Sequence, residues 1–476
     1  MNYRSVPTCL QNGRFTYLRR NSGNGYAVAK PQAQSNSWCS TENNSNNAWN
    51  VNPNNGNVNN NNKYNSLVVR PVAALCIPAS FLDSVQYAYE DCQKGKRSST
   101  QCVEYYSDAA EDIPRLAQEL WSGTYRPGVS TCFLVSYPKW REVFAAHFRD
   151  RIVHHWLIFF LNPLFERRFQ EQGNVSCNCR KGFGTNFAIK QATEGIKRVS
   201  ANYRKPAWVF RGDMVGFFMS IDQNVMWQLM EPFIEQNYHG PYKDIILRVS
   251  KIIVFHRPEK LCVLNSNPES WTNLTSNKSL FRTPEGRGMP IGNLTTQIFA
   301  NFYMSFFDEF VAKTFSVKNY YYTRFVDDFL IVCDDKSFLK RSIPVLRNYL
   351  ENTLHIHLHK DKHYFQPVTH GIAFIGSYIK NNRTYLSNRT IARFTERVHG
   401  FNNMLETKEN ITAADLQRIL TVINSYLGFC KHHRTYSIRK RVLLGFGHAF
   451  YKYFYIKGHY ECVKLKEKYK PLKFEL

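Results

Sequence analysis

The sequence has no apolar run of about 18 residues, the length a helix needs to cross a bilayer, and its first residues, MNYRSVPT, hold no apolar leader core. These absences point to a cytoplasmic protein. It has no CxxC pair either: its 12 cysteines stand at 9, 39, 76, 92, 102, 132, 177, 179, 262, 333, 430 and 462, a scatter that supplies neither a structural zinc site nor a dithiol redox motif. Reduced, mostly buried thiols are expected. Cys177 and Cys179 are two apart, which in an extended segment sends their side chains to opposite sides. Acidic residues are the minority, 37 Asp and Glu against 62 Lys and Arg, giving a net charge of +25. The basic residues are spread along the chain and not gathered into one amphipathic helix or tail, which favours nucleic acid over a membrane surface as the polyanionic partner. No internal repeat of about 20 to 50 residues is visible, which excludes a solenoid.

What is present is enough for a large core. The chain has 476 residues, 43% hydrophobic and 15% aromatic, and at about 150 residues per unit it suggests roughly three. Residues 1–70 differ from the rest. Fifteen asparagines fall between Asn36 and Asn65, too few aliphatic residues accompany them to bury much surface, and a flexible arm docked through Trp49, Val51 and Val58 is the simplest reading.

From Val68 onward the pattern becomes globular. Apolar residues recur at helical spacing over 81–92 and over 109–123, where Gly123 stops the second helix. Residues 124–138 alternate like a strand or hairpin, 148–169 read as a long helix, and the segment after Gly292 has the apolar density of a buried one. The tail from about 385 reads as helical, with Thr412 and Asp415 in capping-box positions before 413–430.

The chemistry is carried by acids. YYTRFVDDFLIVCDD (321–335) is two apolar runs around Asp327 and Asp328, the pattern of a β-hairpin with paired carboxylates at its tip. Like charges so close repel, so a countercharge is expected beside them, and divalent cations are the natural one. WVFRGDMVGFFMSID (208–222) is a second apolar strand ending in Asp213. Three carboxylates on neighbouring strands can hold two magnesium ions, whereas the scattered His and Cys would favour softer metals. A single Asp in a turn is more often merely solvated; the hairpin with an upstream partner acid is the stronger signal.

These residues carry a family resemblance. RFVDDF (324–329) resembles the YxDD box of reverse transcriptases with Phe325 in place of Tyr, and FRGDMVGFFMSID (210–222) resembles their first catalytic motif. KSLFRTPEGRGMPIGNLTTQIFANFYM (278–304) is similar to the template- and nucleotide-contacting motif of the enzymes from diversity-generating retroelements. FRDRIVHH (148–155) and CRKGFGT (179–185) are similar to their fingers motifs, HLHKDKHYF (357–365) and GIAFIGSYI (371–379) to later palm motifs, and SYLGFCKHH (425–433) to their thumb. The resemblance runs in order over about residues 70–450.

The resemblance implies an α+β right-hand polymerase fold: an Asn-rich arm over 1–70, fingers with N-terminal helices over 71–205, a palm with an antiparallel sheet over 206–384 carrying an insertion at about 235–285, and a helical thumb with a basic tail over 385–476. It implies two magnesium ions, with manganese able to substitute, held by Asp213, Asp327 and Asp328 with Met214 beside them. One ion would activate a primer 3′-hydroxyl and the other would hold the triphosphate. Lys362 stands where a lysine protonates the leaving pyrophosphate; Phe218 is the aromatic gate against a ribose 2′-hydroxyl. A surface lysine and a core phenylalanine are the plain alternatives.

Arg141, Arg149, Arg151, Arg180 and Lys181, with Gln297, are candidate contacts to the nucleotide, since guanidinium suits phosphate. Gly288, Pro290, Ile291, Gly292 and Asn293, with Phe325, Phe374 and Gly376, are candidate contacts to template or primer, although glycines that merely start a helix would read the same. The pairing of Ile291 with Gln297 marks the diversity-generating branch. Met214, Val215 and Gly216 depart from the basic residues usual after the first Asp, Thr296 replaces the usual Ser, and no HNH or RNase H motif is present.

Implied partners are an RNA template, including a dedicated noncoding RNA, DNA product, dNTPs, and a small basic accessory protein or second reverse transcriptase subunit. The Asn-rich segment 46–72 resembles the ends of proteins that such elements diversify, because codons beginning AA tolerate adenine-directed miscopying without creating stops. Three functions stay open: the polymerase of a diversity-generating retroelement, an antiphage defence-associated reverse transcriptase making cDNA or untemplated repetitive DNA, and a catalytically silent nucleic-acid-binding protein.

Overall fold

The computed structural model describes, with side chains, residues 77–470 apart from 98, 137–138, 361–363 and 382. The side chains of the asparagine-rich arm, with the docking expected of Trp49, Val51 and Val58, lie outside the described residues. The chain divides into two compact units, one of residues up to 167 with 221–299, the other of 168–220 with 300–476. No helix among the described residues is long and apolar enough to cross a membrane.

In the first unit, helix Ala79–Gln93 buries Phe81, Val85, Ala88, Tyr89 and Cys92, the spacing of one helical face. Helix Thr100–Ser122 packs beside it and ends where the sequence places its stop, at Gly123 with φ +79°. Both meet helix Phe148–Glu171, where Trp156 stands edge-on to Phe81 at 5.6 Å and donates from Nε1 to the Ser84 hydroxyl at 2.9 Å. A three-stranded sheet completes the unit: Ser130–Val135 lies between Cys262–Leu264, parallel to it, and Arg141–Ala145, antiparallel to it. Glu142 of the last strand is fully buried and accepts from Trp271 Nε1 at 3.0 Å, Ser279 Oγ at 2.8 Å and the Leu280 amide at 2.6 Å. Three donors satisfy a carboxylate that burial would otherwise penalise, and they fasten the inserted segment to the sheet.

The second unit is built on a four-stranded antiparallel sheet in the order Tyr320–Phe325, Asp328–Cys333, Trp208–Asp213, Tyr364–Pro367. Val209, Leu330 and Val332 point to one face, covered by Ala188, Ala192 and Ile196 of helix Thr185–Val199. Phe210, Phe329 and Ile331 point to the other, where Phe307 of helix Leu294–Phe315 meets Phe329 at 5.2 Å. Burial on both faces explains why these strands read as unbroken apolar runs.

After a small hairpin sheet over 372–386, helices Asn388–Thr407 and Ala413–Cys430 pack through Phe394, Val398, Ile419, Ile423 and Leu427, and the second opens with the Thr412–Asp415 capping box. The helical reading of the tail fails at its end, because Phe454–Lys457 and Cys462–Leu465 form an antiparallel hairpin. Gly458, His459 and Tyr460 adopt positive φ in the turn, and Phe454, Val463 and Leu465 are buried, so period-two burial replaces helical spacing there.

Candidate active site

The sheet of the second unit gathers the three acids at one end. Asp213 closes its strand, Asp328 opens its own, and the two are direct register partners across the antiparallel ladder. Asp327 occupies the turn that joins Phe325 to Asp328. All three are half-buried. Because side chains alternate along a strand, Asp213, Arg211 and Val209 share a face with Asp328, Leu330 and Val332, so the acids sit at the rim of an apolar face and not within it.

Arg211, which sequence reading passed over, is a positive group set directly beside the acids. Its Nε donates to Asp328 Oδ1 at 2.7 Å and its Nη2 to Oδ2, a two-pronged pair. Burial by itself would lower the Arg211 pKa, and the Asp328 carboxylate reverses this, holding the guanidinium well above its ordinary range. Tyr364 faces Arg211 in register, with the guanidinium 5.9 Å from its ring centre. The available signal was its place two residues before Asp213, which puts both on one face of a strand.

Oxygen donors on adjacent strands suit a hard divalent cation. Donor type and register therefore fit one, although among the described residues no three carboxylate, imidazole or thiolate side chains already converge as a ligand set. A cation would compete with Arg211 for the two oxygens of Asp328.

The chain leaving Asp213 is pinned by the segment 357–359: the Asp213 carbonyl accepts from the His359 amide at 2.8 Å, Met214 bridges Leu358, and the Val215 amide donates to the His357 carbonyl at 2.8 Å. The Met214 side chain is buried. A short helix, Phe217–Ser220, follows at once; Phe217 is buried and Phe218 half-exposed, their rings 5.2 Å apart. Lys362 lies outside the described residues.

Other predicted residues are distributed as follows. In the second unit, Phe325 shares the face of Asp328, and Lys181 is exposed. Arg180 is buried, donating to the Ser176 carbonyl and to Asn174 Oδ1, each at 2.8 Å, and lying 4.0 Å from the Phe183 ring centre. Phe374 is buried in the core beside the sheet, and Gly376, at φ +80°, offers its carbonyl to the Ser387 amide and the Thr390 hydroxyl.

The remaining candidates belong to the first unit. Arg141 is exposed; Arg149 bonds to Asp112 and Glu119, each at 2.8 Å; Arg151 bonds to the Ala146 carbonyl at 2.8 Å and to Gln101 at 2.7 Å. Gly288 and Pro290 are buried and Gln297 is exposed. Gly292 has φ +129°, and a Cβ there would stand 2.5 Å from the Phe144 carbonyl oxygen, so glycine is required for a close approach of protein backbone. On either side of it the Ile291 carbonyl accepts from the Phe144 amide at 2.7 Å and Asn293 Oδ1 from the Ala146 amide at 3.3 Å.

Residues 137–379, about half of the chain, match the family described as reverse transcriptase (RNA-dependent DNA polymerase). No curated protein matches the chain. Among solved structures, apo telomerase from Candida tropicalis truncated from its C-terminal domain is similar with a TM-score of 0.40 and 12% identity over 54% of this chain and 55% of that one. Telomerase from Candida albicans with a fragment of telomeric RNA gives 0.40 and 12% over 69% and 57%. The matched region therefore spans little more than half the length of those telomerases.

Proposed function

The chain belongs to the reverse transcriptase (RNA-dependent DNA polymerase) family, and on that premise we propose that it is an RNA-directed DNA polymerase of the type found in diversity-generating retroelements. The observation that carries the reading is the register pairing of Asp213 with Asp328, with Asp327 in the adjoining turn. These three carboxylates would hold two magnesium ions, or manganese in their place, with the backbone of Met214 beside them. When bound, the ions supply activation of a primer 3′-hydroxyl and charge neutralisation of the triphosphate and departing pyrophosphate.

The chain's own residues do the rest by positioning and exclusion. Phe218 is assigned the wall beneath the incoming sugar; its place on a short helix after Asp213, half-exposed beside the buried Phe217, supports this reading. A flat ring there leaves no room for a 2′-hydroxyl and selects dNTPs. Arg211 holds the Asp328 carboxylate, which would be shared with a bound cation. Lys362 is assigned proton donation to pyrophosphate, and exposed Arg141 and Lys181 remain available to phosphate.

The pairing of Ile291 with Gln297 and the asparagine-rich arm support the retroelement type, copying a template RNA with a small basic accessory protein or second subunit. The unusual Met214–Val215–Gly216 sequence and the length of the arm favour a second reading, an antiphage polymerase making cDNA or untemplated repeats. Sequencing the DNA made from primed RNA, with magnesium and dNTPs, separates them. Copies with errors concentrated at template adenines support the first, and repetitive or untemplated DNA the second. No DNA, with the noncoding RNA from beside its gene supplied, contradicts both.

A further inference from the structure

Val326, the residue before the acid pair, has φ +59°. A β-branched side chain is poorly tolerated in that left-handed region, and such a conformation persists only where its surroundings enforce it. Both backbone groups of Val326 are clamped. Its amide donates to Asn178 Oδ1 at 2.8 Å, and its carbonyl accepts from Arg324 Nη1 at 3.0 Å.

Each clamping residue is itself fixed. The segment before Asn178 runs alongside strand Tyr320–Phe325: the Arg324 amide donates to the Val175 carbonyl at 2.9 Å, and the Cys177 amide to the Arg324 carbonyl at 3.0 Å. That pairing sets the register that brings Asn178 to the turn. The Asn178 carbonyl in turn accepts from Asn301 Nδ2 at 2.7 Å. Arg324 is fully buried on the sheet face opposite the acids, donating to Asp308 at 2.8 and 2.7 Å and to Asn301 Oδ1 at 3.2 Å. Asp308 also accepts from the Tyr322 hydroxyl at 2.6 Å. A buried ion pair satisfied this completely gives little stability for its desolvation cost, but it defines one geometry.

We propose that Asn178 and Arg324 are positioning residues, which hold Val326 in its left-handed conformation and so fix the direction in which Asp327 and Asp328 present their carboxylates. The proposal rests on the polymerase reading of those acids. It assigns Asn178 a task no sequence motif announces, and it makes the turn a held element.

The test compares wild type, Asn178→Ala, Val326→Gly and the double variant, with Asp327→Asn as the inactive reference. Asn178→Ala should lower kcat by about tenfold to a hundredfold, the scale of a small misplacement of reacting groups, with little change in dNTP KM and a higher magnesium requirement. In the Val326→Gly background the same substitution should cost less than about threefold, because glycine adopts positive φ without being held. Equal losses in both backgrounds, or no loss in either, would overturn the proposal. Thermal melts of all four proteins identify a loss that comes only from unfolding, which also counts against it. Calorimetric manganese binding gives an independent readout: weakened binding in Asn178→Ala that recovers in the double variant supports the clamp, and unchanged binding contradicts it. Should wild type make no more DNA than Asp327→Asn, the polymerase reading fails while the manganese result still decides the clamp.

Discussion

Asp213 and Asp328 stand opposite one another as register partners on antiparallel strands, and the carboxylate of Asp328 is gripped at both oxygens by Arg211. Two acids are thus brought side by side by backbone pairing, with a cation from the same strand as Asp213 placed to offset their repulsion.

Removing that cation should expose the repulsion. Arg211→Gln is expected to destabilise the protein by about 1–3 kcal/mol without added metal, since it takes two charged donors from a mostly buried carboxylate. Magnesium should then raise the unfolding temperature of the variant more than that of wild type, because no guanidinium competes for Asp328. Differential scanning fluorimetry with and without magnesium measures both; equal shifts in the two proteins would count against competition.

Gly212 precedes Asp213 on the opposite sheet face, where a Cβ would collide with the Phe329 ring. Its register partner is Phe329 itself, one residue after Asp328. Gly212→Ala should therefore cost about 1–3 kcal/mol by overpacking and disturb the acid pair with it. Urea unfolding, read alongside primer extension, should report both losses; an unchanged midpoint would show that the ring moves aside freely.

Acid should weaken the first unit through His154. This imidazole is buried against Thr295, with Nδ1 2.6 Å from the hydroxyl, and burial pushes its pKa down to about 3 from an unfolded value near 6.5. The folded state resists the proton that the unfolded state accepts. Stability from the neutral form is thus whole above pH about 6.5 and is lost as pH falls toward about 3, at up to about 1.4 kcal/mol per pH unit. Between pH 7 and 5 the loss should be about 2 kcal/mol, and His154→Gln should flatten that part of the profile. Denaturant unfolding at the two pH values checks this, and parallel profiles for both proteins would refute it.

Much of this was legible in the sequence, for identifiable reasons. The runs around Asp213 and around Asp327–Asp328 read as strands because both faces of the sheet are buried, and Gly123 and the Thr412–Asp415 box read as helix ends because capping is local chemistry. What escaped depends on partners distant in the chain. Nothing in residues 174–178 announces that Asn178 meets Val326, and Arg211 looks like any basic residue until the register sets Asp328 beside it. Residue type equally cannot tell a phosphate-binding arginine from one engaged within the chain, as Arg149 and Arg180 are here. The terminal hairpin was hidden because its strands are four residues each, too short for periodicity to distinguish from a helix turn.

The central claim is that Asp213, Asp327 and Asp328 form a polymerase active site, and primer extension by wild type and Asp327→Asn tests it most directly. With magnesium, dNTPs and primed RNA, wild type should make DNA. The variant should fall by about a thousandfold or more, about 4 kcal/mol of transition-state stabilisation, while keeping its melting temperature and its affinity for the primed RNA. Undiminished extension by the folded variant would contradict the account.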